Sequence, residues 1–514
     1  MRDATAEAMG SMRDGEPNRE LSGVFRSAFF SAFELAADEV TVAVEEVIAR
    51  TGIAEERVRA VVERFRLDHE RFTPAEAVDA FSAGRNPFRP QSLIVGHDGR
   101  LMLPHPALSA PAVRESLEEH LKKSPAWDKY QKYRGDLLES RTRVALGRVL
   151  PGARYRDAIE YFVPANEAEA RGSDPAKYTK RVEGDHLVIL DDVAVIVEDK
   201  AVALSVSSKE GKATRIRNDL TGLITKAADQ GRRMRDRIEH DGGLRIEEEG
   251  WVDLRHIREI HTVAVSLDDL STVLTATAEL LRAGLLGLDN IPWTVSLHDF
   301  ELISELVDRP AEFLLYLRRR RNPDAIVMFR APDELDLFLY FFESGLWAEP
   351  DPAKVRSAFP FMPEPTTAEL RRYRAQVPSI VSARTDAMDA WFHARGRVGR
   401  ASAPKPAMVP SPLATFIDEL RARNVAGWLS IGATLLSVTT LVQRQFARHA
   451  DSLLDNPSPD GQGEPWPCWG DRETTATLIL GSCEIREEEV QRHGKAVSLL
   501  RGVPRWRGAT GGGV

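Results

Sequence analysis

Hydrophobic residues along this 514-residue chain switch between a helical and a two-residue period, and each switch marks an element. Over residues 21–66 the apolar positions fall at helical spacing, in VTVAVEEVIARTGI and again in VRAVVERF, which predicts short helices on either side of Thr51-Gly52. The pair has the outline of a helix-turn-helix, but nothing marks a recognition helix, so a small packing domain is expected. LIVGHDGRLML predicts a hairpin that turns at His97-Asp98-Gly99. A long helix is expected from Ser124-Pro125, a cap followed by proline, with Trp127, Tyr130, Leu137, Leu138 and Ala145 as its apolar stripe. Pro151-Gly152 stops it. Residues 155–163 read as a strand, and 164–184 as a polar surface loop. Two β-branched runs, 186–190 and 193–197, follow as strands joined by a turn at Asp191-Asp192. Residues 213–240 form a long amphipathic helix, with Leu220, Leu223, Ile224, Ala227, Met234 and Ile238 on its buried side. A strand is expected at 260–267 and another at 293–297, each running into a serine N-cap, Ser266 and Ser296. Beyond Pro350 the chain is proline-punctuated and helical.

Length predicts several domains, and 43% hydrophobic with 29% charged residues is a globular composition. The reading is a polar, flexible terminus over 1–23 and a helical N-terminal domain with a small hairpin over 24–115. A catalytic-type domain over 116–305 and a mainly helical C-terminal domain over 306–510 complete it. Only Cys468 and Cys483 occur and no secretory signal is visible, which points to the cytoplasm and against a disulfide framework. Residues 424–443 carry no charge and are long enough to span a bilayer, but their glycines and hydroxyl side chains favour a buried helix, and no membrane contact is expected. The run Arg318–Arg321 is explained by favourable charge at a helix C-terminus.

Chemistry concentrates around the two β-branched strands. Asp185 precedes the first, and Glu198 and Lys200 end the second, two residues apart and so on one face. Taken singly, each has a bland explanation as a strand-end residue. Together, two carboxylates and an ammonium between neighbouring strands contribute nothing to a core, but they suit a divalent cation held by hard oxygen ligands. Net charge is −9, so nucleic-acid binding would need a local basic face. The flank of the 213–240 helix offers one, with Arg215, Arg217, Lys226 and Arg233 as the contacts expected to meet phosphates. No GxxxxGK, GxGxxG, HExxH or GxSxG sequence occurs, which argues against nucleotide-driven, dinucleotide and acyl-serine chemistry.

Asp185 followed thirteen positions later by Glu198-Asp199-Lys200, at the end of a hydrophobic strand, resembles the motif of the PD-(D/E)XK nuclease superfamily. Gly184 stands where the motif's name has proline. Upstream, RGDLLE, ending at Glu139, resembles the first core helix, whose glutamate often joins the metal site. Downstream, Gln230 in AADQGRRMR resembles the glutamine many members carry on the helix after the catalytic strand. The likeness covers about residues 125–270. It implies an α/β fold with an αβββαβ restriction-endonuclease-like core, the order predicted above. It also implies Mg²⁺ or Mn²⁺ held by Glu139, Asp185, Glu198 and the backbone carbonyl of Asp199, with Lys200 and Gln230 as further catalytic groups. DNA is the implied substrate, with RNA left open. The C-terminal domain would then serve target choice, self-association or a protein partner. A non-catalytic interaction protein that keeps the nuclease fold as a scaffold is the alternative, and a helix-turn-helix regulator through 40–66 a third reading.

Overall fold

The computed structural model describes residues 40–67, 73–172, 174–209, 211–270, 272–358, 360, 363–382, 384–395, 403–455, 464–467 and 477–480. The expected flexible terminus, 1–23, and both cysteines lie outside these residues. The chain divides into two compact units, Met1–Tyr130 with Val206–Lys212, and Gln131–Ser205 with Ala213–Val514.

In the first unit, α1 (Val44–Thr51) and α2 (Glu55–Phe65) are joined by a turn in which Gly52 takes a left-handed φ of 67°. Helix α3 (Pro74–Ser82) starts at a Thr73–Glu76 capping box. The hairpin β1 (Ile94–Val95) and β2 (Leu101–Met102) turns over His97-Asp98-Gly99 as expected, and α4 (Ser109–Leu121) follows. Val42 bridges to Leu101, and Val44, Val58 and Leu101 form a small core that joins hairpin and helix pair. The outer side of α2 mixes Glu55, Glu56 and Glu63 with Arg57, Arg59 and Arg64, so it presents no basic face to a nucleic acid.

The second unit is mixed α/β around a seven-stranded sheet. Helix α5 (Trp127–Val149) leads into it and starts two residues after the predicted Pro125, because the Ser124 hydroxyl bonds the Ala126 N–H in a tight turn first. Strands β3 (Arg154–Val163), β4 (Lys180–Leu190) and β5 (Val193–Lys200) run antiparallel in succession. Helix α6 (Ala213–Leu220), a π-helical turn (Thr221–Thr225) and α7 (Lys226–Asp241) cross over. The short hairpin β6 (Gly243–Ile246) and β7 (Gly250–Asp253) precedes β8 (Glu259–Ser266), and β9 (Trp293–Ser296) completes the sheet. Its order is β7-β6-β3-β4-β5-β8-β9, with β5, β8 and β9 parallel. Strand β5 is apolar on both faces because both are covered. Val193, Val195 and Val197 join one hydrophobic cluster with Leu138, Leu146 and Val149 of α5. Ala194 and Ile196 join another with Met234 and Ile238 of α7.

Three expectations change here. Strand β4 starts at Lys180, so the polar stretch Lys180–Glu183 is strand, paired to β3, and not loop. The predicted boundary at 306 disappears, since α8 (Leu297–Leu306), α9 (Pro310–Arg321), α10 (Glu334–Ser344) and α11 (Trp428–Leu436) share one core with Val195, Val263 and Trp293 of the sheet. The Arg318–Arg321 run is not helix-end decoration. Arg320 is fully buried, its Nε 2.8 Å from Glu334 Oε1, and the same oxygen accepts from Trp293 Nε1 at 2.6 Å. Arg318 Nε meets Glu259 Oε1 at 2.8 Å, and Arg321 Nη1 meets the Ile260 carbonyl at 2.9 Å. These arginines tie α9 to the starts of β8 and β9.

The charge-free stretch 424–443 is helix only in part: α11 ends at Leu436 and α12 (Thr440–Asp455) begins three residues after Ser437. Among the described residues no helix is long and apolar enough to cross a membrane. The α11 N-terminus is held by the β4–β5 turn, where Asp191 Oδ1 accepts from Gly427 N–H at 3.0 Å and Oδ2 from Leu429 N–H at 3.0 Å. The first predicted serine cap is not one, since Ser266 Oγ donates to the Asp268 carbonyl, whereas Ser296 caps α8 through the Asp299 N–H.

Glu334→Ala would strand the Arg320 guanidinium as an unpaired buried charge. A loss of about 3–5 kcal/mol is expected in denaturant unfolding. A loss under about 1 kcal/mol would contradict the role assigned to this pair.

Candidate functional site

The site arises where one ladder ends and the neighbouring one is interrupted. Between β4 and β5 the last matched pair is His186 with Val197. Between β3 and β4 the ladder is matched at Asp157–His186 and at Ile159–Gly184, but skips the intervening position. Ala158, opposite Asp185, has a φ of 49°, a left-handed conformation that costs a non-glycine residue about 1–2 kcal/mol. Asp185 is thereby released from both neighbours. Its Oδ2 accepts instead from the backbone N–H of Asp199 at 2.6 Å.

Glu198 and Lys200 point to the α7 face beside it. Lys200 Nζ lies 3.0 Å from Glu198 Oε2, 3.2 Å from the Asp199 carbonyl and 3.5 Å from Asp185 Oδ2. One ammonium thus collects oxygens from three of the four groups that the resemblance implies as cation ligands, all but Glu139. Glu198 is 1% exposed, and its Oε1 has no hydrogen-bond partner among the described residues. Burial is the main reason its carboxyl rises to about 7; Asp185 adds to the rise and Lys200 only partly opposes it. Gly184 has a local reason as well: a Cβ there would sit 2.5 Å from Met234 Cε and 3.6 Å from Glu198 Oε1. A side chain at 184 would close the space over the carboxylate.

The remaining expected residues divide. Glu139 on α5 makes no hydrogen bond to the group. Its carboxyl is raised by burial and then by the charges of Asp185 and Asp199, so it stands within their field without joining them. It does not pair with Arg143 either, which reaches Asp157 at 3.2 Å and stacks on Tyr155. Only the backbone of Asp199 faces Lys200. Its side chain turns to the α5 face, as strand alternation requires. Gln230 is half-buried on α7, with no hydrogen bond to Asp185, Glu198 or Lys200. Of the basic flank, Arg215 and Lys226 are exposed and Arg233 half-buried, and none of the three is ion-paired to a described residue. Arg217 is exposed but spends one donor on the Ala283 carbonyl at 2.8 Å. Arg232, Arg235 and Arg237 are matched by Asp229, Asp236 and Asp241. Among the described residues, no group of three or more His, Cys, Asp or Glu side chains is placed to hold a metal.

On the other face lies a cluster that sequence reasoning missed. His186 Nδ1 is 2.7 Å from Asp157 Oδ1 and Nε2 is 3.0 Å from Asp199 Oδ2, while Thr142 Oγ1 donates to Asp199 Oδ1 at 3.0 Å. Burial disfavours the charged ring, but Asp199 and Asp157 outweigh it and lift His186 to about 9, so both ring nitrogens donate at neutral pH. The available signal was a histidine at a core-facing position of an apolar strand, directly after Asp185.

A cavity of about 10 Å³ adjoins Lys200, lined by Leu223 and Ile224 of the π-helical turn and by Ala264, Ser266, Leu270 and Thr294. It has room for about one water molecule. No protein-family model, curated protein or solved structure matches this chain.

The raised Glu198 carboxyl sets a pH dependence. Its neutral form favours the fold, so this share of stability is whole below its ordinary value of 4.5 and is lost as pH rises through about 7. Glu198→Gln stays neutral. In chelator, its stability relative to wild type should rise by about 1–3 kcal/mol between roughly pH 5 and pH 8. Urea unfolding at both values checks this, and an unchanged difference would show that Glu198 is not held protonated by the fold.

Proposed function

We propose that this chain is a metal-dependent phosphodiesterase acting on DNA, built on the αβββαβ core of restriction-endonuclease-like nucleases. The observation that carries the reading is the convergence of Asp185 Oδ2, Glu198 Oε2 and the Asp199 carbonyl on a single cationic centre at the point where β4 and β5 part. The element order α5, β3, β4, β5, α7, β8, with β8 parallel to β5, supports the core assignment. The strain at Ala158 supports a functional site at this point of the sheet.

The residues fit a hard divalent cation. Two carboxylates and a carbonyl are a usual protein share for Mg²⁺, which keeps several waters, and the unpartnered Glu198 Oε1 is a donor the protein leaves unused. When bound, such an ion would polarise a phosphate oxygen and acidify a water. Asp185 and Glu198 supply the negative charge that selects a cation, and the Asp199 N–H holds Asp185 in orientation. Lys200 would leave its carboxylate partners and turn its ammonium to the phosphate, where it offsets charge that develops during displacement. Arg215, Lys226 and Arg233 would meet the flanking backbone of the strand. The one-water cavity beside Lys200 admits no base, so the polymer would lie across the strand ends.

The same three contacts favour a second reading. An ammonium already seated among the oxygens neutralises the site internally, as a non-catalytic scaffold would need. Incubation of linear, circular and single-stranded DNA, and of RNA, with Mg²⁺ or Mn²⁺, with and without chelator, separates the two. The nuclease reading expects metal-dependent cutting, reduced about a hundredfold or more by Asp185→Ala and by Lys200→Ala. Folded wild-type protein that cuts none of these substrates would favour the scaffold.

A further inference from the structure

We propose that His186 is a positioning residue for the site: clamped between Asp157 and Asp199 on the α5 face, it sets the peptide of residue 199 that organises Asp185 and Lys200 on the opposite face. This deepens the proposed function and rests on it for the meaning of the site, though not for the geometry.

Residue 199 touches both faces. Its carboxylate takes His186 Nε2–H and the Thr142 hydroxyl, its N–H holds Asp185 at 2.6 Å, and its carbonyl meets Lys200 at 3.2 Å. The β4–β5 ladder has ended at His186–Val197, so here side chains join the strands: His186 to Asp199 on the α5 face, and Asp185 to the Asp199 N–H and the Lys200 ammonium on the other. The histidine replaces the missing ladder with a side-chain bridge. Its own ring is anchored on β3 through Asp157, which Arg143 of α5 also holds. The His186 and Asp199 side chains are only 3% and 2% exposed, so water cannot substitute for a lost bond. Without the bridge, the Asp199 carboxylate is a buried charge held by one hydroxyl. Such a residue is free to turn toward another donor, and a turn of its peptide would withdraw the N–H from Asp185.

Two substitutions divide the bridge. In His186→Gln the amide nitrogen falls near the place of Nε2 and can reach Asp199 but not Asp157. In His186→Asn it falls near Nδ1 and can reach Asp157 but not Asp199. His186→Gln gives up the bond to the half-exposed Asp157 and His186→Asn the bond to the buried Asp199, so stability alone does not separate a positioning from a structural role and the readouts are taken at residue 199 and at the cation site. Two readouts apply to the full chain. The first is the Asp199 amide proton, followed by NMR with isotope-labelled aspartate in chelator. It should lie far downfield, bonded to Asp185, and move upfield in Asp185→Asn. The second is Mn²⁺ affinity by calorimetry. His186→Gln should keep the downfield resonance and hold affinity within about threefold, whereas His186→Asn should lose the resonance and weaken Mn²⁺ by about tenfold or more. Equal behaviour of the two variants, or a wild-type Asp199 resonance in His186→Asn, would overturn the proposal. If wild-type protein binds no Mn²⁺, the metal reading falls, and the amide resonances still decide whether His186 positions residue 199.

Discussion

The register of the β4–β5 hairpin is the constraint on which the rest depends. Side chains alternate across a strand, so a slip of one residue would exchange Glu198 and Lys200 with Asp199 across the sheet. Several contacts forbid that slip. Val195 and Val197 are buried against α5, and Ala194 and Ile196 against α7. The turn is pinned from outside by Asp191, left-handed at φ 54°, whose carboxylate caps α11. A helix more than two hundred residues later in the chain therefore secures the hairpin that aims the site.

Charge also stands at the strand ends where it does not serve stability. Two carboxylates and an ammonium occupy one face of the strand ends, and an imidazolium between two carboxylates occupies the other. Glu198 is buried with one oxygen unpartnered and its carboxyl raised to about 7, an arrangement a core would not select. The Arg320–Glu334 and Arg318–Glu259 pairs differ: their oxygens are saturated by arginine, tyrosine, tryptophan and histidine donors, and they join helices to strands. Of these two groups, the first includes a buried oxygen, Glu198 Oε1, with no hydrogen-bond partner among the described residues.

Much of the sheet was legible because β-branched runs and the turn acids announce β4 and β5, and because the helix after them has a clear apolar stripe. Glu198 and Lys200 could be grouped from parity, and Asp185 from its place at the edge of the neighbouring strand. What failed depends on partners distant in sequence. Lys180–Glu183 is polar and becomes strand only because β3 pairs with it. The π-helical turn interrupts a stripe that reads as continuous. Helices after 306 are amphipathic whether they cover the sheet or one another, so their pattern could not say that Trp428 and Leu429 share a core with Val195. Asp157 and His186 meet through strand register across 29 positions, and neither is conspicuous before that register is known. Glu139 was placed correctly on its helix. Its distance from the group is a matter of helix rotation that spacing does not reveal.

In the proposed nuclease the three oxygens now gathered by Lys200 would hold the cation. Crystals grown with Mn²⁺ and measured for anomalous scattering examine this at the site itself. A peak is expected in contact with Asp185, Glu198 and the Asp199 carbonyl, with the Lys200 ammonium displaced from between them. Crystals that contain Mn²⁺ elsewhere or not at all, with the ammonium still seated among the same oxygens, would contradict it.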